Sequence, residues 1–450
     1  MKRKVIVIGG VAAGPSAATK AKRVSPDSEV ILYEQGEHIS YGVCEIPYFI
    51  SGEIQRAESL IIYSPERLQK EKGVTAKILH RVEEIIPSQR EILVRNLSSS
   101  KITRDWYDKL IIASGTKNKK FQIAGEESRN VFYVKSLNDA YALKKFIQEN
   151  KPKNAVVIGA GFIGMEMTEA LTKIGMDVTV VHNSALPMSL FEEEGKKIIL
   201  SALEAQKVRF IPDAKVEWFG VGAHQNVVAV GLPSQTIETD LVIIAAGVKP
   251  NSELAKNAGI HLGKAGGILV SDRMHALGAD NIFAAGDCCE VKNILTKKPE
   301  FISLATIASK TGRIAGENSV GGNEQFKGMI RAIGIKIFNL EAAQVGLSSK
   351  EAAAAGLRYK KTEVGSQSKV GMMPGVQKIS LTLLSELQTG RILGANVIGA
   401  EGAVQRANVL AAAIRHGLTI TDLSELDLIY APPFAPLWDG IIQSGIQAKK

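Results

Sequence analysis

The stretch AVVIGAGFIG (155–164) places three glycines at the spacing Gly159-x-Gly161-x-x-Gly164, directly after a short apolar run. A helical segment, MEMTEALTKIG, and a second apolar run, DVTVVHN (177–183), follow it. Glycines at this spacing allow a tight strand-to-helix turn and let a pyrophosphate approach the N-terminus of the helix. The stretch therefore predicts a βαβ unit that binds a dinucleotide, with an unliganded glycine turn as the alternative.

A looser copy of this pattern opens the chain. We interpret KVIVIGG (4–10) as a buried strand, residues 16–24 as a helix and EVILYEQ (29–35) as the strand that closes the unit. The loop after the first strand is formed by Gly9, Gly10, Val11, Ala12, Ala13 and Gly14, with Val11 at the position of the middle glycine. Two such units about 150 residues apart indicate two doubly wound nucleotide-binding domains.

Other apolar runs define the rest of the predicted organisation. KLIIASGT (109–116), DLVIIAAGVKPN (240–251) and NIFAAGDCCE (281–290) each return the chain to a sheet edge where a nucleotide would lie. Beyond the linker-like GGNEQFKG, residues 380–400 alternate like an antiparallel hairpin with QTG at the turn, and alanine-rich helices follow near 403–416. The predicted fold is α/β, with two Rossmann-like domains (1–116 with 250–322, and 117–249) and a separate α+β domain (325–450).

Composition excludes several classes of protein. The 450 residues are 45% apolar and carry a net charge of +9, but the basic residues are scattered and form no dense nucleic-acid-binding block. The charge favours attraction of a polyanionic small molecule or a generally basic surface. The longest apolar run, LVIIAAGV (241–248), is far too short to span a membrane, and MKRKVIVIGG is too short in its apolar part for a signal peptide. Three cysteines do not form a disulfide framework. We expect a cytoplasmic protein that binds no nucleic acid, membrane or metal.

The end of the run DVTVVHN bears on the choice of nicotinamide cofactor. An acidic residue there would hold the ribose 2′-hydroxyl of NAD, but this chain has His182 and Asn183. Without a carboxylate a 2′-phosphate is not repelled, and without a nearby arginine it is not gripped. The sequence leaves NADH and NADPH open and leans to tolerance of both.

Glu34 and Asp287 are the polar residues expected at the first dinucleotide site. Glu34 ends the second strand, where its carboxylate can accept a hydrogen bond from a ribose hydroxyl. A second dinucleotide that is distinct from the nicotinamide cofactor indicates FAD. Asp287 follows the strand NIFAAG and would hold the ribityl chain, with a helix N-cap as the alternative role.

Cys44 stands in SYGVCEIPYF (40–49), ahead of a predicted helix start, because Pro47 suits the first turn of a helix. The free N–H groups of a helix N-terminus favour a thiolate, so the sequence predicts a lowered pKa and a reactive sulfur. An inert packed cysteine is the alternative. We interpret the adjacent Cys288 and Cys289 as structural.

With these features together, the chain resembles the pyridine nucleotide-disulfide oxidoreductases from end to end. The paired glycine motifs, the GD motif at Asp287 and Cys44 after the first βαβ unit carry the resemblance. Glutathione-reductase-like members have a second cysteine five residues on, where this chain has Phe49. The resemblance thus implies the single-cysteine branch of coenzyme A-disulfide reductases, NADH oxidases and NADH peroxidases. Ala12 stands where the oxidases and peroxidases of that branch carry a histidine.

The segment IYAPPFAPLWDG (429–440) is similar to the YAPP motif of coenzyme A-disulfide reductases. This similarity implies that Tyr430 hydrogen-bonds or protonates the sulfur of Cys44, with a packed interface tyrosine as the alternative. The chain departs from the subfamily at Met372-Met373, which replaces a usual tyrosine pair before Pro-Gly. Methionines form a softer, more apolar wall, which favours persulfide, polysulfide or quinone-like acceptors over coenzyme A disulfide.

The resemblance also implies sets of binding residues. Ser16, Lys20 and Arg23 share one helix face, and Ser40 and Lys72 would join them around the phosphates and pantetheine arm of coenzyme A; a solvated basic face is the alternative. The expected cofactor-binding residues are Gly9, Gly10, Val11, Ala12, Ala13, Gly14, Glu34, Gln35, Val82, Ser114, Gly115, Asp287, Ala305, Gly159, Gly161, Phe162, Ile163, Gly164, Glu166, His182, Asn183 and Gly247.

The expected protein is a homodimeric FAD enzyme. NADH or NADPH reduces the flavin on one face, and Cys44 exchanges electrons with it on the other. The cysteine attacks a small-molecule disulfide or sulfane sulfur, with coenzyme A as substrate or bound cofactor. The resemblance implies a C-terminal dimerisation domain that places Tyr430 opposite Cys44 of the partner subunit. An NAD(P)H oxidase or quinone reductase and a redox-sensing flavoprotein are the alternatives.

Overall fold

The computed structural model describes residues 3–450. The first region contains β1 (Lys4–Ile8), α1 (Ala13–Val24), β2 (Glu29–Tyr33), α2 (Ile46–Ser51), α3 (Pro65–Lys72), β3 (Thr75–Lys77), β4 (His80–Ile86), β5 (Glu91–Asn96), β6 (Ile102–Trp106) and β7 (Lys109–Ile112). The second region contains β8 (Thr116–Asn118), β9 (Val131–Phe132), α4 (Leu137–Asn150), β10 (Asn154–Ile158), α5 (Phe162–Lys173), β11 (Asp177–Val181), α6 (Glu193–Ala205), β12 (Arg209–Ile211), β13 (Trp218–Val221), β14 (Val227–Gly231), β15 (Thr236–Glu238), β16 (Leu241–Ile244) and β17 (Val248–Pro250).

The chain then returns to the first region and ends in a third. The returning stretch contains α7 (Glu253–Asn257), β18 (Ile268–Leu269), β19 (Ile282–Ala284), β20 (Cys289–Lys292), β21 (Pro299–Phe301) and α8 (Ala305–Ser319). The C-terminal region contains β22 (Ala332–Ile337), β23 (Leu340–Gly346), α9 (Ser349–Ala354), β24 (Tyr359–Gln367), β25 (Lys378–Glu386), β26 (Ile392–Gly399), α10 (Ala403–His416), α11 (Ile420–Ser424) and α12 (Gly440–Ala448).

The first parallel sheet has the strand order β19-β7-β1-β2-β3. Its central strand β1 is buried along its whole length and pairs Ile6 with Ile31 on one side and with Leu110 on the other. Parallel neighbours require a crossover, which α1 supplies between β1 and β2, and α1 packs against α8. The carboxyl ends of β1, β7 and β19 therefore meet at one sheet edge.

The second parallel sheet repeats this design with the order β12-β11-β10-β16-β9. Its central strand β10 pairs Val156 with Thr179 and with Val242, and α5 provides the crossover to β11. The two sheets confirm the predicted pair of doubly wound units.

The antiparallel pair of β8 and β17 connects the two regions. Thr116 pairs with Pro250, and the Ser114 hydroxyl donates to the carbonyl oxygen of Asn251 across 2.6 Å. The chain leaves the first sheet after β7 and returns through β17 to supply β19 and α8. Two separate stretches of sequence therefore build the first sheet.

The C-terminal region is an antiparallel sheet of order β22-β23-β26-β25-β24. The predicted hairpin is present, since β25 pairs with β26 and Leu383 lies opposite Ala395. The predicted alternation is wrong for β26, which is buried at every residue, because α10 packs against this strand and α6 also contacts it. No helix within residues 3–450 has the length and apolarity needed to cross a lipid bilayer.

Candidate active site

In the glycine loop between β10 and α5, the fold requires glycine at Gly159 and Gly164 but not at Gly161. Gly159 has φ +105°, and a Cβ there would lie 2.5 Å from the carbonyl oxygen of Ala245, while a Cβ on Gly164 would lie 1.9 Å from that of Gly159. A Cβ on Gly161 would meet open space. The helix begins at Phe162 without a side-chain cap or an acidic residue in its first turn. This cradle fits a pyrophosphate that approaches closely at Gly161.

The loop between β1 and α1 has the same tight turn. Gly9 has φ +106°, a Cβ there would lie 2.2 Å from the carbonyl oxygen of Ala113, and a Cβ on Gly14 would lie 1.8 Å from that of Gly9. The helix begins at Ala13, three residues earlier than predicted, and its N-cap residue Ala12 supplies no side-chain hydrogen bond. The uncapped N–H groups fit the pyrophosphate of FAD, although Val11 replaces the middle glycine.

Glu34 braces this first loop. Its carboxylate accepts hydrogen bonds from the backbone N–H groups of Gly10 (2.6 Å) and Gly36 (2.7 Å). Burial raises the pKa of Glu34, and the backbone hydrogen bonds oppose that rise. A carboxylate has further acceptor positions, so Glu34 also fits the predicted contact with a ribose hydroxyl.

His182 is turned toward the second glycine loop. Its Nδ1 accepts a hydrogen bond from the backbone N–H of Ala160 at 3.3 Å, while its Nε2 is buried and has no hydrogen-bond partner in residues 3–450. Burial lowers the pKa of His182 against the opposing charge of Asp213. The imidazole is therefore neutral at pH 7, and Asn183 is the exposed residue at this strand end.

Cys44 lies where the two nucleotide-binding regions meet. Its thiol is free and exposed, two residues before α2, which packs against α4 and α5 of the second region. Lys144 of α4 donates hydrogen bonds to the carbonyl oxygens of Phe49 (3.0 Å) and Ile50 (2.8 Å) at the end of α2. As predicted, Pro47 lies in the first turn of α2.

The predicted lowering of the Cys44 pKa is wrong. Partial burial raises the pKa of the Cys44 thiol, and the negative charges of Glu45, Glu166 and Asp287 raise it further. The helix that follows has only six residues. The charge at the end of so short a helix does not outweigh three carboxylates near the sulfur.

Asp287 follows β19 at the same sheet edge and accepts a hydrogen bond from the hydroxyl of Ser303. Burial raises the pKa of Asp287, whereas Ser303 and the ammonium of Lys135 lower it. Lys135 belongs to the second region, and its Nζ donates to the Thr116 hydroxyl at 2.6 Å. The sequence does not indicate this cation, since one lysine before a helix cap follows no recognisable motif.

Glu166 and Glu169 lie on α5 and face α2 across a small cavity. The cavity is lined by Pro47, Tyr48, Ser51, Glu53, Glu166, Glu169, Ala170, Lys173 and Lys336. Glu169 is paired with Lys173 at 2.8 Å and with Lys336 at 2.5 Å, but Glu166 has no ion pair in the described part of the chain. Burial and the charge of Glu169 raise the pKa of Glu166 to about 7. Glu166 therefore titrates near neutral pH.

Two of the predicted coenzyme A residues face α8. The Ser16 hydroxyl lies 3.3 Å from that of Ser309, and Nζ of Lys20 forms an ion pair with Glu317 at 2.6 Å. Both side chains are therefore engaged between α1 and α8, which differs from the solvated basic face of the alternative interpretation.

The other three predicted coenzyme A residues differ in their exposure. Arg23 and Lys72 are exposed, and Nζ of Lys72 lies 5.7 Å from the ring centroid of Tyr63. Ser40 is buried with φ +47°, and its backbone N–H donates to the carbonyl oxygen of Gly10 at 2.7 Å. Ser40 thus lies at the first glycine loop.

Tyr430 belongs to an exposed apolar surface. Its side chain is half exposed, and Met372, in the loop between β24 and β25, is 91% exposed. Four further large apolar residues in the same C-terminal stretch are more than half exposed, namely Ile429, Phe434, Leu437 and Trp438.

Most of the remaining predicted cofactor residues lie at the ends of helices and strands. Phe162 and Ile163 form the first turn of α5, Ser114 and Gly115 precede β8, Gly247 precedes β17, Ala305 begins the uncapped helix α8, and Gln35 is exposed after β2. Val82 is buried in the core of the first region. The sulfur atoms of Cys288 and Cys289 lie 3.8 Å apart and are buried, in agreement with a structural role.

The two parallel sheets, each with an uncapped glycine loop, and the thiol at their junction define an oxidoreductase that uses two dinucleotides. The chain belongs to the pyridine nucleotide-disulphide oxidoreductases, whose family model matches residues 3–312. The dimerisation domain of the same family matches residues 332–439.

Relatives with described activities cover nearly the whole chain. The NAD(P)H sulfur oxidoreductase (CoA-dependent) of Pyrococcus furiosus is 34% identical over 98% of both chains. The coenzyme A disulfide reductase of Staphylococcus aureus is 28% identical over 99% of this chain and 100% of that protein.

Solved structures show the same fold. Reduced Bacillus anthracis CoADR-RHD has a TM-score of 0.96 and 32% identity, covering 100% of this chain and 80% of that one. An NAD-dependent persulfide reductase from A. fulgidus has a TM-score of 0.95 and 32% identity, covering 99% and 83%. The water-forming NADH oxidase of Lactobacillus brevis has a TM-score of 0.94 and 30% identity, covering 100% and 98%. Membership in this family implies FAD and a pyridine nucleotide as cofactors and a dimer formed through the C-terminal region.

Proposed function

We propose that this chain is an NAD(P)H-dependent flavoprotein that reduces coenzyme A disulfide, or coenzyme A-linked persulfide and polysulfide, through Cys44. The observation that carries this proposal is one exposed thiol at the junction of the two nucleotide-binding regions. Cys288 and Cys289 are buried, and buried Phe49 occupies the position of a second active-site cysteine. The acceptor chemistry therefore falls to a single sulfur.

Cys44 performs this chemistry as a thiolate. It attacks one sulfur of a disulfide, the S–S bond breaks, one thiolate leaves and a mixed disulfide forms on Cys44. Two electrons and one proton then split the mixed disulfide into a second free thiol and the Cys44 thiolate. With a persulfide, the outer sulfur moves to Cys44 as the coenzyme A thiolate leaves, and two electrons and one proton then release that sulfur as hydrosulfide and restore the Cys44 thiolate. Bound FAD would carry the two electrons from the nicotinamide to this sulfur.

Tyr430 is the proposed proton donor of this step. The raised pKa of Cys44 makes a hydroxyl at the sulfur useful, since the thiol must lose a proton and the leaving thiolate must gain one. In the proposed homodimer Tyr430 faces Cys44 of the partner subunit. Exposure of Tyr430 and its apolar neighbours in a single chain supports this arrangement.

Two features support the choice of acceptor. Met372 and Met373 offer a polarizable apolar wall, which suits sulfane sulfur better than a hydroxyl pair does. Exposed Arg23 and Lys72 provide cations for the phosphates of coenzyme A. Ser16 and Ser40 bond to residues of the first glycine loop, and Lys20 would exchange its ion pair with Glu317 for a phosphate. NADH and NADPH both fit the strand end at His182.

An NAD(P)H oxidase is the second candidate, because the water-forming NADH oxidase of Lactobacillus brevis shares the fold with a TM-score of 0.94. Ala12 lies in the first glycine loop, where the oxidases of the branch carry a histidine, and this substitution disfavours the oxidase. A comparison of turnover with sulfur acceptors and with oxygen separates the two candidates.

We also propose which residues form each functional domain. Residues 1–116 with 250–322 bind FAD, residues 117–249 bind NAD(P)H, and residues 325–450 form the dimer. The β8–β17 connection and the matches to residues 3–312 and 332–439 support these bounds.

The test is a comparison of electron acceptors under anaerobic and aerobic conditions. The purified flavoprotein is supplied with NADH or NADPH and with coenzyme A disulfide, coenzyme A persulfide, polysulfide, a soluble quinone or oxygen. We expect fast turnover with the sulfur acceptors and a mass-spectrometric adduct on Cys44. Fast turnover with oxygen alone, without a Cys44 adduct, would select the oxidase instead.

A further inference from the structure

Two exposed segments of the C-terminal region lie side by side. We call residues 368–377 the methionine loop and residues 429–439 the tyrosine segment, after Met372 and Tyr430. The loop is closed at its base, where the backbone N–H of Ser368 donates to the carbonyl oxygen of Gln377 at 2.9 Å. The two segments come from distant parts of the sequence, and each carries exposed apolar side chains.

One backbone hydrogen bond joins the segments directly. The N–H of Val370 donates to the carbonyl oxygen of Pro432 at 3.2 Å. Inside the loop, the N–H of Met373 donates to the carbonyl oxygen of Val370 at 2.8 Å. The position of the methionines is thus linked to the position of the YAPP motif.

Arg406 supports both segments from below. Its guanidinium donates through Nε to Oδ2 of Asp439 at 2.8 Å and through Nη2 to the carbonyl oxygen of Ser368 at 3.4 Å. A third bond runs from Nη1 to the carbonyl oxygen of Gly402 at 3.0 Å. Asp439 also accepts the N–H of Ile441 at 3.0 Å, which caps α12. The buried Arg406 side chain therefore bonds to the methionine loop, to the tyrosine segment and to the N-cap residue of its own helix, α10.

The ion pair itself is an expensive way to stabilise the fold. The side chains of Arg406 and Asp439 are each only 8% exposed. A buried ion pair pays a desolvation penalty that often cancels its Coulombic gain, and its best-supported benefit is a fixed geometry. The planar guanidinium holds its donors in fixed directions and reaches three separate acceptors, whereas the donors of a lysine all lie on one ammonium nitrogen.

We infer that Arg406 is a positioning residue, which holds the methionine loop and the tyrosine segment as one unit so that Met372, Met373 and Tyr430 meet the same acceptor. The inference rests on the proposed function. Arg406 lies beneath the surface and acts through Tyr430 rather than by contact with the substrate.

The test is a double-mutant cycle between Arg406→Lys and Tyr430→Phe. Arg406→Lys keeps the positive charge opposite Asp439 but removes the planar guanidinium and its fixed donor directions. We expect the rate of sulfur-acceptor reduction to fall about 10-fold in Arg406→Lys, because a small misplacement of a reacting group is costly. The further fall when this change is added to Tyr430→Phe should be clearly smaller than 10-fold, because the two changes share the loss of the positioned Tyr430 hydroxyl. Reduction of the flavin by NADH should keep its rate in both variants.

Arg415→Lys is the matched control. Arg415 lies on the same helix and also donates to a backbone carbonyl, that of Gly328 at 2.7 Å, but it contacts neither segment. We expect this variant to keep the wild-type rate. If Arg406→Lys does not give a folded, FAD-containing dimer, Asp439→Glu carries the same cycle, because it keeps both charges and shifts the guanidinium.

Two outcomes overturn the inference while the proposed function stands. One is a wild-type acceptor rate in Arg406→Lys, and the other is independent, multiplicative losses in the double variant. Absence of Cys44-dependent sulfur reduction in the unmodified protein would contradict the proposed function instead, so the two failures are distinguishable.

Discussion

Nδ1 of His182 accepts the backbone hydrogen bond of Ala160 and so ties the end of β11 to the second glycine loop. His182 replaces the acidic residue that is usual at this strand end. Its imidazole is neutral and is turned toward the second glycine loop. It offers a 2′-phosphate neither repulsion nor attraction, which agrees with tolerance of both nicotinamide cofactors.

His182→Glu tests this interpretation of the strand end. A carboxylate repels the 2′-phosphate, so we expect the ratio of kcat/KM for NADH to that for NADPH to rise at least about tenfold. Steady-state kinetics with both cofactors measures the ratio. His182→Asn is the control, because its amide oxygen can still accept the Ala160 hydrogen bond without adding charge. A His182→Glu variant that prefers NADPH more than the parent would show that the ribose binds elsewhere.

Gly161→Ala separates a nucleotide site from an ordinary turn. A Cβ on Gly161 meets open space, so the change should leave the thermal unfolding midpoint nearly unaltered. The same Cβ would stand where a pyrophosphate approaches, so we expect the KM for NADH to rise by about 10-fold or more. Gly164→Ala is the contrast, because its Cβ would lie 1.9 Å from the carbonyl oxygen of Gly159 and should destabilise the protein itself. An unchanged KM in Gly161→Ala would argue against this cradle.

The sequence predicts the parts of the fold that depend on local pattern. Apolar runs that end in glycine mark β1 and β10, because a buried parallel strand must be apolar on both faces and its loop must turn tightly. Pro47 likewise marks the start of α2. These features require only neighbouring residues, and the structure agrees with them.

The parts that the sequence does not predict depend on distant contacts. The pKa of Cys44 is raised by burial and by the adjacent Glu45, but also by Glu166, more than a hundred residues away, and by Asp287 beyond it. Lys135 reaches Thr116, the first residue of β8, only because the fold brings the stretch before α4 beside that strand. Burial of both faces of β26 depends on helices that pack onto it from other parts of the chain. No local periodicity encodes such meetings.

Glu166→Gln tests the electrostatic account of Cys44. The pKa of Glu166 is about 7, so its carboxyl is mostly protonated below pH 7 and mostly charged above it. The charged form opposes the Cys44 thiolate. Removing it should lower the Cys44 pKa and raise the rate of alkylation by iodoacetamide several-fold at pH 8, with a smaller effect at pH 6. The pH dependence of alkylation measures this change.

Glu53→Gln is the matched control for that experiment. Glu53 lines the same small cavity as Glu166 but is not among the charges that raise the Cys44 pKa, and it pairs with Lys173. We expect Glu53→Gln to keep the alkylation profile of the parent. Equal shifts in both variants would mean that the cavity as a whole, rather than the charge of Glu166, controls the thiol.

Cys44→Ser tests whether the exposed thiol carries out the reduction of sulfur acceptors. Reduction of the flavin by NADH should keep its rate, because that step needs no thiol. Reduction of coenzyme A disulfide or persulfide should be abolished, because a serine hydroxyl at neutral pH cannot replace a thiolate nucleophile. Tyr430→Phe should slow the sulfur step by about 10²-fold, the scale of one lost proton donor. Anaerobic stopped-flow spectroscopy follows both half-reactions separately. Reaction with quinones or oxygen should survive in Cys44→Ser, because such acceptors take electrons without a thiol. Undiminished disulfide reduction in this variant would leave Cys44 without a chemical role, whereas loss of that half-reaction alone would assign the sulfur chemistry to it.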